Sequence, residues 1–216
     1  MSQFPRLQLE LRTRIALTLS PKSSQSAAQR GVDKAPFLTW VLLIYMATLR
    51  ELDDANALFK LDVALEGREQ PQRYIYASPR LQRWIVETLP GLASQHNIDV
   101  LPDEQFDTLA YEFCVGEQLE VGWKFRKLNP IGKDVWELKT ADLRIFGWFC
   151  DRDCFIGVAA EEKWRLIEYP GMATGYMGEV VRFRENLNLD EPKIVTGENY
   201  DDVVSNWRYP PEESGC

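Results

Sequence analysis

At 216 residues, with 45% hydrophobic and 27% charged side chains, the chain has the usage of a folded globular protein and not of a disordered or fibrous one. Its formal net charge of −8, from 25 Lys/Arg against 33 Asp/Glu, repels a nucleic-acid backbone overall, so RNA binding requires a basic patch working against the global field. The longest apolar run, residues 40–47, is too short to span a bilayer and no leader-like segment opens the chain, so a cytoplasmic protein without membrane contact is expected.

Leu7, Leu9, Leu11, Ile15, Leu17 and Leu19 alternate with Gln8, Glu10, Arg12, Arg14 and Thr18, which predicts a long half-buried strand. Residues 21–35 read as a Ser/Gln/Gly-rich loop. Residues 37–54 read as a largely buried helix, apolar nearly all round at its start. Asp53-Asp54 opens an expected second helix through Leu65, with a polar break at 67–72. A short strand over 73–77 comes next. Ser78 as cap and Pro79 as first helical residue then predict a helix with Leu81, Trp84, Ile85 and Leu89 on one face, stopped by Pro90-Gly91. Residues 103–115 form a further helix, with Phe106, Leu109, Ala110 and Phe113 inward and Gly116 beyond its end. Strands are expected near 121–126, 134–140, 143–150, 154–160 and 163–168, and a helix over 177–187.

This order divides the chain into three. Residues 1–71 are a strand–helix extension with 9 Lys/Arg and 8 Asp/Glu, and residues 72–187 the main domain with 14 and 18. Residues 188–216, with 2 and 7, are an acidic surface-running tail, either simply solvated or an RNA mimic covering a basic groove.

Cys150 and Cys154 bracket Asp151-Arg152-Asp153 and can face each other across a hairpin, but a zinc site needs two further ligands and the single histidine, His96, is far off in sequence. No metal and no cofactor is therefore expected, and the cysteines are read as reduced. The most informative segment is Asp134–Phe149. Two period-two apolar runs flank Ala141-Asp142, the pattern of a β-hairpin, and Lys139 and Arg144 sit near that connection. The two cations are either a solvated hairpin face, pairing with Glu137 and Asp142, or a phosphate site. Trp136, Trp148 and Trp164 are either core and cross-strand aromatics or base-stacking platforms. Tyr176 follows the small-residue run at 171–175, either a mobile rim or an ordinary connection.

The hairpin, Trp136-Glu137-Leu138-Lys139 followed by Leu143-Arg144-Ile145-Phe146-Gly147-Trp148-Phe149, resembles that of the RelE/ParE toxin superfamily, and the opening Tyr74–Trp84 is similar to its HigB-like, phage-derived branch. The resemblance covers roughly residues 72–187. It implies an α+β fold: an antiparallel sheet with helices on one side, here extended by an N-terminal strand and helix. It also implies metal-independent cleavage of RNA, usually messenger RNA in the ribosomal A site, by attack of a 2′-hydroxyl on the adjacent phosphate. RNA or the ribosome would be one partner and an antitoxin another. Carried over residue by residue, Lys139 falls on a basic position before the turn and Arg144 on the phosphate-binding arginine after it. Glu137 falls on a position that is basic or acidic in different members, and Tyr176 is the counterpart of the family's tyrosine near the last helix; with no histidine in the region, Lys139 and Arg144 are expected to contact the phosphate and Tyr176 or Glu137 to handle the proton. Where HigB-like chains carry a Lys-Lys segment, Lys163 and Arg165 stand as the RNA-binding substitutes. The leading expectation is thus a toxin-type endoribonuclease of a toxin–antitoxin or phage-borne system. The alternative keeps the fold, lacks the nuclease and binds a protein partner, and the acidic charge and absent histidine point that way.

Overall fold

The computed structural model describes residues 47–65, 67, 69–95, 99–128 and 134–210. The strand expected over 7–19, the loop over 21–35, the start of the helix expected from 37, and His96 lie outside the described residues. The chain is a mixed α and β fold. Its helices are α1 Leu49–Asp54, α2 Pro79–Glu87, α3 Pro102–Cys114, α4 Lys163–Glu168, α5 Gly171–Asn186 and α6 Tyr200–Val203. Its strands are β1 Phe59–Lys60, β2 Tyr74–Ala77, β3 Leu119–Glu120, β4 Phe125–Lys127, β5 Trp136–Lys139, β6 Leu143–Asp151, β7 Cys154–Glu162 and β8 Trp207–Arg208. Six strands form one sheet in the order β1-β2-β7-β6-β5-β4, and β3 pairs with β8 in a second small sheet.

The sheet is mixed and not antiparallel throughout: β2 runs parallel to β7, because the helical connection through α2 and α3 returns the chain to the far edge before the antiparallel meander β4–β7 begins. Helices cover both faces instead of one. Ile75, Leu138, Ile145 and Phe155 pack against Leu81 and Ile85 of α2 and Phe106, Leu109 and Phe113 of α3. Tyr76, Phe146, Trp148 and Ile156 pack against Leu52 of α1 and Met177 and Val180 of α5. The alternation along β6, whose residues are nearly all buried, serves both cores at once.

Several local expectations are corrected. Of the helix expected over 37–54, the described part is helical only from Leu49: Ala47 makes a parallel bridge to Leu189, and Thr48 with Glu51 forms the capping box that starts α1. The second helix expected from Asp53-Asp54 through Leu65 does not form: α1 ends at Asp54, Asn56 turns left-handed and the Asp53 carboxylate accepts the Lys60 amide, and pairing of β1 with β2 then buries Leu58 and Leu61. Residues 163–168 are a helix and not a strand, because β6 begins at Leu143 opposite Glu162 and offers no ladder beyond it. The helix expected over 177–187 begins at Gly171, so Tyr176 lies within it. The acidic C-terminal stretch, expected on the surface, carries Val203 and Val204 fully buried in the core and adds β8 alongside β3. Its anchor is Arg73, itself fully buried, which binds Asp153 and the carbonyls of Phe113, Glu117, Ser205 and Asn206.

Candidate functional site

The β5–β6 register sets Lys139 directly opposite Arg144, and Arg144 is opposite Glu161 of β7, so the three side chains leave one face of the sheet in one row. The next row along contains Glu137 and Phe146, with Arg126 of β4 opposite Glu137. The turn joining the two strands is held from behind. Asp142 is buried and accepts from Ser94, the Gln95 amide and the Gln105 side chain of α3, while its carbonyl takes the Lys163 amide at 2.6 Å. Asp142 therefore braces the hairpin against α3 and α4.

Glu137 is only 2% exposed. Its Oε1 lies 2.5 Å from Arg126 Nε and 3.9 Å from Arg144 Nε, so one buried carboxylate serves two guanidinium groups. Arg144 Nη1 also donates to the carbonyls of Thr140 and Leu143, each at 2.6 Å. Lys139 Nζ donates to the Gly122 carbonyl. Burial, reinforced by Arg144 and Arg126, pushes the Lys139 ammonium below the usual lysine pKa, with Glu137 opposing. Burial lowers Arg144 as well, again against Glu137.

On the far side of the row, Glu161 accepts from Tyr176 Oη at 2.7 Å and from Arg165 Nη1 at 3.2 Å. The Tyr176 ring stacks on Phe146 with centroids 5.2 Å apart, and the Arg80 guanidinium lies over it at 5.4 Å. Burial and the bond to Glu161 raise the phenol to about 12.

Beside Arg144 opens a cleft of about 470 Å³ lined by Gly122, Trp123, Lys124, Lys139, Thr140, Ala141, Arg144 and Lys163. Every charged residue of that lining is a cation. Lys124 is paired to Glu112 at 2.6 Å, and the Lys139 amide donates to the Lys124 carbonyl at 2.7 Å, which ties the β3–β4 turn to the hairpin. Trp123 stands on that turn 68% exposed, following Gly122 at φ 83°, a conformation glycine adopts without strain.

The structure thus brings Lys139, Arg144 and Lys163 together. It seats Glu137 beneath them, and it leaves Tyr176 and Arg165 on the opposite side of Glu161, outside the cleft lining. Trp136 and Trp148 are core residues, the latter donating to the Lys193 carbonyl, and Trp164 lies partly exposed on α4. Sequence reasoning missed Trp123, Lys124, Arg126 and Glu161. The usable signal was Phe125-Arg126-Lys127, whose alternation places Arg126 outward next to the hairpin.

Cys150 and Cys154 do face each other, with Sγ atoms 3.4 Å apart, both buried and reduced. Among the described residues no three His, Cys, Asp or Glu side chains gather as a metal-binding group, and no helix is long and apolar enough to cross a membrane. Compared with known proteins, the chain matches no family model, no curated protein and no solved structure. The functional reading accordingly rests on the geometry of the cleft.

Proposed function

We propose that this protein is a metal-independent endoribonuclease of the toxin type, with the cleft beside the β5–β6 hairpin as its RNA site. The observation that carries the reading is local charge: in a chain of net charge −8, a concavity at Arg144 has Lys124, Lys139, Arg144 and Lys163 as its charged lining and no carboxylate among them. The register of the hairpin, with Lys139 opposite Arg144, agrees with the resemblance to the RelE/HigB-like hairpin.

The chemistry follows from the groups present. Arg144, held in position by two carbonyls and Glu137, contacts the phosphate and stabilises the charge of the phosphorane. Lys139, opposite Arg144 on the next strand, adds a second positive charge at the phosphate, and the proton of the 2′-hydroxyl leaves to solvent as the 2′-oxygen bonds to phosphorus. The P–O5′ bond breaks and Lys163 returns a proton to the 5′-oxygen, leaving a 2′,3′-cyclic phosphate and a 5′-hydroxyl. Glu137 and Tyr176 act as positioning residues, the first holding Arg144 and the second, through Glu161, holding the adjoining strand.

The test is incubation of the purified chain with labelled messenger RNA in the presence of a chelator, with end-group analysis of the products. Wild type should yield cyclic-phosphate ends. Arg144→Ala should slow cleavage by roughly a hundred- to thousandfold while far-UV circular dichroism is unchanged. Induced expression in bacteria should arrest growth for wild type and not for the variant. If wild type neither binds nor cleaves RNA, the reading fails, and a fold that has lost the nuclease and binds a protein partner takes its place.

A further inference from the structure

Trp123 is not explained by the core or by the phosphate chemistry. Large aromatic side chains contribute to stability by burying their area, yet this one leaves 68% of its surface in water. A single exposed apolar residue is unremarked on most surfaces, but this one lines the same cleft as Lys124, Lys139, Arg144 and Lys163. No other aromatic ring among the described residues stacks on it.

Its backbone is fixed. The Trp123 and Lys124 amides both donate to the Glu120 carbonyl, at 3.2 and 2.9 Å, and the Gly122 amide donates to the Phe125 carbonyl at 2.8 Å. The Gly122 carbonyl in turn receives Lys139 Nζ, a residue of the phosphate site. A ring whose backbone is already ordered loses little entropy when a flat partner lies on it. Cations that follow a phosphate chain next to an aromatic face are the two parts of a single-strand binding surface, because every base has a π-face and only an unpaired base can present it.

We infer that Trp123 is a stacking platform for an unpaired nucleobase next to the phosphate held by Arg144, so that the cleft selects single-stranded over duplex RNA. This rests on the RNA reading of the cleft, and it names the substrate class.

The experiment measures binding by fluorescence anisotropy. Its probes are a short 2′-O-methyl RNA oligomer, which cannot be cut by its own 2′-oxygen, an abasic oligomer of equal length, and the corresponding duplex. The proteins are wild type, Trp123→Ala, Trp123→Phe and Lys163→Ala, each checked by circular dichroism. Trp123→Ala should weaken the base-bearing single strand by roughly ten- to hundredfold and barely affect the abasic one. Trp123→Phe should retain most of the affinity, and Lys163→Ala should weaken both oligomers alike. Wild type should bind the duplex more weakly than the single strand. Equal loss for the abasic oligomer, an unchanged affinity in Trp123→Ala, or duplex bound as tightly as single strand overturns the inference while leaving the cationic RNA site standing. If wild type binds none of the probes, the inference and the RNA reading fall together.

Discussion

Replacing Glu137 with Gln removes a carboxylate set between Arg126 and Arg144 while keeping the side chain's size and its capacity to accept a hydrogen bond. The Glu137 and Arg144 side chains are 3% and 12% exposed with Oε1 3.9 Å from Nε. At an effective dielectric of about 20, that separation corresponds to roughly 4 kcal/mol of attraction before desolvation is counted. Arg126 is 52% exposed, so its share is that of a surface pair, at most about 1 kcal/mol. Losing one partner of a buried pair costs about 3–5 kcal/mol when the other charge is left stranded. Arg144 keeps its two carbonyl acceptors, and the expected loss is therefore smaller, about 2–3 kcal/mol. For a chain of this size that is a melting-temperature drop of roughly 4–12 °C. Urea unfolding followed by far-UV circular dichroism measures it directly. The same substitution releases Arg144 from its counter-charge, so single-strand RNA affinity should become more salt-dependent, its log–log slope steepening by up to about 0.7. A stability loss below about 0.5 kcal/mol together with an unaltered salt slope would refute the assignment of Glu137 as the counter-ion of this site.

Arg73→Met should cost about 3–5 kcal/mol in urea unfolding, because it removes the counter-charge of Asp153 and empties a hydrogen-bond hub linking α3, the β6–β7 turn and residues 205–206; a loss under about 1 kcal/mol would contradict that role. Burial raises Tyr76, Tyr176 and Cys114 to about 12, from ordinary values of 10.0 for the tyrosines and 9.0 for the cysteine. The folded chain keeps these protons after the unfolded chain has released them, so the stabilisation is fully present below about pH 9 and is lost as pH rises toward 12; Tyr176→Phe should show a shallower fall between pH 10 and 12 than wild type, and identical slopes would count against it. A Cβ at Gly147 would sit 2.2 Å from the Ile156 carbonyl oxygen and 2.5 Å from the Phe155 ring, so Gly147→Ala should destabilise by about 1–3 kcal/mol or more. Gly175→Ala, on the open side of α5, should instead stabilise by about 0.5–1 kcal/mol, and equal effects in parallel thermal melts would dismiss the steric argument.

The parts of the fold legible from residues are those in which local chemistry and tertiary demand agree. Ser78-Pro79 caps α2 as its residue types dictate, its hydroxyl accepting the Leu81 amide, and the double alternation around Ala141-Asp142 becomes β5 and β6 in register. Residues 163–168 misled because Trp164 and Leu166 alternate with charges as well as any strand; only the end of the β6 ladder decides against one, and that is a property of the whole sheet. Val203, Val204 and Trp207 were hidden by an acidic, proline-bearing context, although they complete an apolar core. For the candidate site, the two hairpin cations were readable because β5 and β6 are neighbours in sequence. Trp123 and Lys124 were not, since residues 121–126 read as one strand, whereas the chain turns at 122–124 between β3 and β4 and carries both side chains to the cleft. Tyr176 was located near Glu161 only by the packing of α5 across the sheet, which no local spacing encodes.

The parallel pairing of β3 with β8 has a bearing on the order of events during synthesis. The turn that carries Trp123 hangs between β3 and β4, and β3 is laddered to Trp207 and Arg208, with the Val121 amide on the Arg208 carbonyl. A nascent chain folds from its N-terminal side as it emerges. The hairpin bearing Lys139 and Arg144 can close before residues 207–208 leave the ribosome, and the turn bearing Trp123 and Lys124 can join it through β4 and the Lys124 carbonyl. What waits for residue 208 is the outer brace of that turn, the ladder that holds β3 from behind.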